Sequence, residues 1–368
     1  MPALSIAHTE ASLGWGGQEI RILTEARGFL DRGHRVSLYA ATGSRIADEA
    51  PGYGVPCTAL PIGRKRPAGV LALARAFRAA RHDVVNTHSS TDSWLAALAC
   101  RIVRDPPVIV RTRHVSVPVP NDRATRWLYG KATSRVVTTG EALRDRLVRD
   151  NGLDPARVDS IPTGIDAARF GTIARDETRR TLGLPADARI VGIVATLRSW
   201  KGHRHLVDAF ARLDDPRALL VIVGDGPQRE ALGRHVAALG LGPRVRFAGQ
   251  QRDVAPWLAA LDVFALPSTA NEGVPQALLQ AMFAGVPCVT TTVGAIPEIA
   301  SDGDTALVVP AGDAAALADA IGRLLADPSL GARLATAARA FVLPRFGLDT
   351  MLDRMEAAFR RAIEGRRR

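Results

Sequence analysis

Residues 268–283 read STANEGVPQALLQAMF, and their types suit a corner that binds hydroxyls and phosphates. The apolar run LDVFALP before them reads as a strand, and Pro275 suits the first turn of a helix through QALLQAMFAG. Unpaired amides at a helix start, with Gly273 admitting close approach, can hold an anion or a polyol. The Glu272 carboxylate can accept hydrogen bonds from hydroxyls beside them. A continuous helix from Glu272 to Gln280 would separate the two by about 12 Å, near the span of a diphosphate and ribose. A well-capped helix with a surface glutamate accounts for the same residues.

Three further stretches invite comparable chemistry. In RIVGIVATLRSWKGHRHL, Arg198 and Lys201 follow an expected strand. Two cations there can clamp a diphosphate and stabilise the charge that develops as it leaves, or simply be solvated at a helix start. The turn VGDGPQREAL, with Gly224 and Gly226, resembles half of a dinucleotide fingerprint without its third glycine. In SLGWGGQEIR, Gly14, Gly16 and Gly17 let amides face a phosphate. Their spacing is not GxGxxG, which argues against a dehydrogenase.

His88 and His114 each end an expected strand, DVVNTH and VIVRTRH. Such histidines serve either as catalysts or as satisfied structural residues. DGD at 302–304 has the composition of a metal-binding pair but reads more simply as a turn. No His/Cys cluster and no supported Ser/His/Asp arrangement is present, so no metal ligands are assigned.

The elements that must position these residues alternate from end to end. LSIA, VSLYA, DVVNTH, VIVRT, RVVTTG and VDSIP read as strands in the first half, and RIVGIVA, LLVIVG, VRFAG, VFALP, PCVTT and ALVVP in the second. Helical patterns such as IRILTEARGFLDRG and SWLAALACRIVR lie between them. Apolar runs of this kind suit parallel strands buried on both faces, which predicts two doubly wound α/β domains. Ligands of such sheets bind beyond the strand ends, where His8, His88, His114, Arg198, Gly224, Glu272 and Glu298 stand. The expected divisions are 1–170, 171–345 and a closing helix at 346–368, able to pack back on the first domain.

Composition agrees with a two-domain globular chain: 368 residues, 47% hydrophobic and 23% charged. No stretch approaches the roughly 20 apolar residues that span a bilayer. MPALSIAHTE lacks a charged segment followed by an apolar one, so no secretory signal is expected. Cys57, Cys100 and Cys288 are too scattered for a disulfide framework. A reducing cytoplasm is the expected home. Of the net +11, residues 1–170 carry +8, from 24 Lys and Arg against 16 Asp and Glu. RKRPAGVLALARAFRAARH holds Arg64, Lys65, Arg66, Arg75, Arg78 and Arg81, a pattern suited to an anionic membrane surface. With 5% aromatics and no stacking or zinc module, nucleic acid is not an expected partner.

Taken in order, ATLRSWKGHRHLVDAF, VIVGDGPQREAL, VRFAGQQRDVAPWLAALDVFALPSTANEGVPQALLQAMFAGVPCVTTTVGAIPEIASDGDTALVVPAGD and the N-terminal GGQE loop resemble the retaining glycosyltransferases of family 4. The resemblance spans nearly the whole chain. It implies a GT-B fold, two Rossmann-like domains facing each other across a cleft, and metal-independent transfer from a nucleotide-sugar, with a UDP-sugar expected and no cofactor. By that resemblance Arg198 and Lys201 hold the donor diphosphate, and Glu272 matches the first acid of an E-x7-E motif that contacts the donor sugar. The amides of Gly273 and Val274 face the same sugar or its phosphates. Gln280 stands where the family's second glutamate grips the ribose. His114 matches a histidine near the reacting sugar, Gly16 and Gly17 a loop near the β-phosphate, and Thr163 a position often held by Asn. Gly224 falls on the donor side and His88 on the acceptor side. The GGQE and VPQALLQAM forms are similar to enzymes of lipopolysaccharide core and envelope glycan synthesis, implying a glycolipid or oligosaccharide acceptor met at the cytoplasmic face of the inner membrane. A nucleotide-sugar 2-epimerase and a non-catalytic sugar-nucleotide binder are the alternatives.

Overall fold

The computed structural model describes residues 2–114, 117–171 and 173–367. Two compact units result, one of Met1–Gly164 with Leu348–Arg368 and the other of Ile165–Gly347. The first, unit 1, contains strands β1 (Ser5–Glu10), β2 (Arg35–Ala41), β3 (Cys57–Leu60), β4 (Val84–Thr87), β5 (Val108–Arg113), β6 (Arg135–Thr138) and β7 (Val158–Ser160). They form one sheet in the order β3-β2-β1-β4-β5-β6-β7, every pairing parallel. The second, unit 2, contains β8 (Arg189–Val194), β9 (Ala218–Val223), β10 (Val245–Gly249), β11 (Val263–Leu266), β12 (Cys288–Thr291) and β13 (Leu307–Val309). Their order is β10-β9-β8-β11-β12-β13, again all parallel.

Helices cover both faces of each sheet, so the central strands are buried along nearly their whole length, polar residues included. In unit 1, neighbouring residues of one strand belong to different apolar clusters. Ile6, Leu38, Val84 and Val108 join one, and Ala7, Tyr39, Val85 and Ile109 the other, so each cluster takes one face. The first cluster includes Met351, Leu352, Met355 and Phe359 of the closing helix Leu348–Arg367. That helix lies close against helix Gly17–Asp31: a Cβ on Gly28 would come 2.5 Å from Leu352 Cδ1. Unit 2 is built around a single larger cluster.

The expected strands all form, but β3 was not among them. CTAL is an edge strand, half-buried at its ends and exposed between, and so carries no continuous apolar run. Strand order reverses between β1 and β4 in unit 1 and between β8 and β11 in unit 2. Each reversal opens a crevice beyond the strand ends, the usual ligand position in such sheets.

Candidate functional site

In unit 2 the loops leaving β8 and β11 meet at the reversal. Lys201 ends the 3₁₀ turn Ser199–Lys201 after β8, and Glu272 lies in the loop after β11. Lys201 Nζ donates to both carboxylate oxygens of Glu272, at 2.7 and 2.9 Å. Ser268 Oγ donates to Oε1 at 2.6 Å, and Glu272 is only 5% exposed. An ammonium has three donors, so this pairing leaves one N–H of Lys201 for a further acceptor.

Two glycines make the approach possible. Gly202, at φ +76, caps helix His203–Ala211, and a Cβ there would lie 1.9 Å from the Pro267 carbonyl oxygen. Gly294, at φ +63, would place a Cβ 2.1 Å from the Glu272 carbonyl oxygen, which accepts from the Ala295 amide at 3.3 Å. Neither position accommodates a side chain without moving the loop that carries Glu272 or its neighbour.

The other donor-side candidates divide. Gly224, at φ +136, lets its turn pack on the β8 loop, where a Cβ would meet Ala195 O at 2.1 Å. The Leu197 amide donates to Asp225 O and the Gln228 amide to Leu197 O, locking the two loops together. Gly273 and Val274 are buried directly behind Glu272. Arg198 is exposed, with its guanidinium carbon 5.8 Å from the Trp200 ring centroid rather than on Glu272.

Helix Gln276–Phe283 starts later than expected, with Pro275 outside it as the cap residue. The tie between Glu272 and the Gly294–Ala295 turn holds residues 272–275 out of the helix. The 12 Å estimate therefore does not apply. Gln280 is half-buried within the helix, and its side-chain amide has no partner among the described residues. His203 gave no sequence signal. Its ring is buried, and burial, reinforced by Lys201 and opposed by the Arg198 backbone, lowers its pKa to about 4.

In unit 1 the reversal assembles a row of histidines. His8 Nδ1 lies 3.1 Å from His88 Nε2, and His88 Nδ1 lies 2.9 Å from His114 Nε2. His8 is inside β1 rather than beyond it, because β1 continues to Glu10 through buried polar residues. Burial holds all three pKa values low, to about 3 for His8, with the Arg21 charge lowering each further. Neutral rings must pass hydrogen bonds in one direction along the row. His8 Nε2 at the far end is buried and unpartnered among the described residues. A buried unpaired N–H is rarer than a buried unpaired acceptor, so the row is assigned as His8 Nδ1–H to His88 Nε2 and His88 Nδ1–H to His114 Nε2. His114 then presents Nδ1–H as a donor.

Supporting groups fix the row. Asp92 accepts from Thr9 Oγ1 at 2.6 Å and from the His88 amide at 2.8 Å, and caps helix Ser90–Arg101 with Ser89. Glu10 accepts from the Ser12 amide at 2.7 Å and from Gln18, and burial, then Asp92, raises its pKa to about 8. It thereby ties down the glycine loop, in which Gly16 is the extended cap of helix Gly17–Asp31. Thr163 is buried, its Oγ1 3.4 Å from Arg21 Nη1. A cavity of about 660 Å³ opens beside His88 and His114, lined also by Lys65, Trp94, Arg111 and Arg113. Asp92, Trp94 and Arg111 were not singled out from the sequence; their neighbours are distant in the chain.

Comparison with known proteins accords with this geometry. Residues 188–327 match the family described as "Glycosyl transferases group 1" and residues 15–169 "Glycosyltransferase Family 4". A 2-deoxystreptamine N-acetyl-D-glucosaminyltransferase of Streptomyces fradiae is 32% identical, over 93% of this chain and 90% of that protein. The lipopolysaccharide core biosynthesis glycosyltransferase LpsE of Rhizobium meliloti is 34% identical, over 63% of this chain and 66% of that protein. Among solved structures, Anabaena HepE in complex with UDP-glucose superimposes with a TM-score of 0.86 at 24% identity, covering 96% of this chain and 98% of that one. These matches, with two Rossmann-like units of the GT-B type, make the chain a member of the family 4 glycosyltransferases.

Proposed function

We propose that this enzyme transfers a sugar from a UDP-sugar to a glycan or glycolipid acceptor of the lipopolysaccharide core type, with retention and without a metal. The carrying observation is the Lys201–Glu272 pair at the strand-order reversal of unit 2. Lys201, with Arg198, neutralises the departing diphosphate while Glu272 accepts from donor sugar hydroxyls. Gly16, Gly17, Gly224, Gly273 and Val274 serve the donor by close backbone approach, and Gln280 binds the ribose. The bond from the sugar's anomeric carbon to the phosphate oxygen breaks, and its electron pair stays with the phosphate. The acceptor oxygen bonds the same carbon from the same face, and its proton passes to the departing phosphate oxygen. His114, as an Nδ1–H donor, orients the reacting sugar, and His88 holds that tautomer. LpsE and the UDP-glucose-bound neighbour support the acceptor and donor classes.

The test is product analysis with UDP-, GDP-, ADP- and CDP-sugars, with and without a core oligosaccharide and with a chelator present. Acceptor-dependent release of UDP and an unchanged anomeric configuration are expected. Inversion, or full inhibition by the chelator, would overturn the mechanism.

A cytoplasmic enzyme resting on the inner membrane completes the proposal. Arg64, Lys65, Arg66, Arg75 and Arg78 are exposed, whereas Leu73, Ala74 and Phe77 of helix Pro67–Ala80 are buried in the unit's own core. Attraction to a membrane would therefore rest on charge. Vesicles containing anionic lipid should bind the protein and release it at high salt; equal binding to neutral vesicles would refute this.

A further inference from the structure

Helix Gly17–Asp31 lays a buried ion pair over the sheet face that carries His8. His8 and Asn86 are register partners on β1 and β4, so their side chains leave the same face together. Asn86 Nδ2 donates to Glu25 Oε1 at 3.2 Å, and Thr112 Oγ1 donates to Asn86 Oδ1 at 2.8 Å. Arg21, one turn before Glu25, sends Nη1 to Ile161 O at 2.8 Å and Nη2 to Met355 Sδ at 3.8 Å. His8, Arg21, Glu25 and Asn86 are all fully buried.

Three polar atoms of this layer stand apart from those bonds. Arg21 Nε faces Glu25 Oε2 at 3.6 Å, an ion pair too long for a direct hydrogen bond. Neither atom has a hydrogen-bond partner among the described residues, and nor does His8 Nε2. Burial and then the Arg21 charge lower the His8 pKa, in keeping with their shared face. A polar contact of this length invites a bridging water, and a buried water typically makes about three hydrogen bonds to atoms otherwise unpaired.

We propose that a single buried water molecule is held between Arg21 Nε, Glu25 Oε2 and His8 Nε2, and that it fixes the direction of the histidine row. It accepts from Arg21 Nε–H, which can only donate, and gives one proton to the Glu25 carboxylate and the other to His8 Nε2. A proton on Glu25 would leave the buried Arg21 cation uncompensated, so the carboxylate is ionised even though burial raises its pKa. With both water protons committed, the order beyond is set: His8 Nδ1–H to His88 Nε2, then His88 Nδ1–H to His114 Nε2. The opposite order would make His8 Nε2 a second donor to the water and leave one of its protons unused. Arg21 and Glu25 are thereby positioning residues. Their bearing on sugar transfer rests on the role proposed for His114; the water and the tautomer do not.

Neutron diffraction from crystals of the full chain in D2O reads the arrangement. One water should lie within hydrogen-bond distance of all three atoms, its deuterons toward Glu25 Oε2 and His8 Nε2, with a deuteron on His8 Nδ1. Direct contact of Arg21 Nε with Glu25 in place of the water, or a deuteron on His8 Nε2, would overturn the proposal.

Nitrogen NMR and kinetics on variants supply the second arm. Arg21→Met combined with Glu25→Leu exchanges the ion pair for apolar side chains, a change that buried pairs tolerate when both partners go. His114 should pass from one tautomer to a mixture, and turnover should fall about tenfold with donor KM unchanged. Arg21→Lys, which keeps a cation and a donor, should hold His114 in its single tautomer. Retention of that tautomer in the folded double variant would refute the proposal; if the double variant does not fold, the neutron measurement on the unaltered protein decides. A mixed tautomer with normal turnover would uphold the water and count against the role given to His114 alone.

Discussion

Lys201 Nζ reaches both carboxylate oxygens of Glu272, joining residues 71 positions apart across the point where the strand order of unit 2 reverses. Each partner holds the other in place. Lys201→Ala removes the proposed leaving-group cation and also strands a buried carboxylate. Turnover should fall by about two to three powers of ten, as for loss of one preorganised charge-stabilising donor. The melting temperature should fall as well, and Lys201→Ala with Glu272→Gln should recover stability without activity. Normal turnover in Lys201→Ala would remove that residue from the donor site.

The histidine row predicts a tautomer at a distance. In nitrogen NMR, His114 Nε2 should appear unprotonated and Nδ1 protonated. His8→Phe removes the donor that sets the order and should shift His114 toward a mixture, lowering turnover by about tenfold with little change in donor affinity. His8→Asn, whose amide can donate from the Nδ1 position, should restore much of both signals. A protonated His114 Nε2 in the unaltered protein would reverse the assigned direction.

Buried ionisable groups set opposing pH limits. His8, with its pKa lowered from 6.5 to about 3, contributes stability that is present above pH 6.5 and lost as pH falls toward 3. Glu10, raised from 4.5 to about 8, contributes stability that is present below pH 4.5 and lost as pH rises through 8. Glu10→Gln stays uncharged in both states. Its melting temperature relative to the unaltered protein should accordingly be higher near pH 8 than near pH 5, which differential scanning calorimetry would show.

Gly294→Ala tests the geometry behind Glu272. With the added methyl 2.1 Å from the Glu272 carbonyl oxygen, the loop has to move. Stability should drop by about 2 kcal/mol or more, and donor KM should rise. An unaltered KM would show that the position of this loop is immaterial to the donor.

Gln280→Glu tests the ribose assignment. A carboxylate accepts hydrogen bonds from a diol roughly twice as strongly as an amide, so UDP affinity should increase about five- to tenfold. Calorimetry with UDP and with the free base separates ribose binding from base binding; a gain for both would argue against the assignment.

The legible features were those encoded by local pattern. VFALP announces a strand ending near Glu272, and VIVRTR one ending at His114, because both runs are buried on two faces. The true end of β1 was hidden: His8, Thr9 and Glu10 look like loop residues and are buried only because Asp92 and His88 meet them from far along the chain. The start of helix Gln276–Phe283 was misjudged for a related reason, since the Gly294–Ala295 turn holds the preceding residues away from helical geometry. Arg111 lies inside the expected strand VIVRT, and only the assembled sheet places it on a cavity lined by Trp94 and Tyr129.

Helix Leu348–Arg367 gives biosynthesis an unusual timetable. Met351, Leu352, Met355 and Phe359 complete one face of unit 1, while every residue of unit 2 precedes them in the chain. On the ribosome, the unit that emerges first has to wait for the codons of this helix, and the one translated second can finish before it. Termination ahead of helix Leu348–Arg367 would thus leave an uncovered sheet in the part of the polypeptide made first, a natural target for chaperones and proteases.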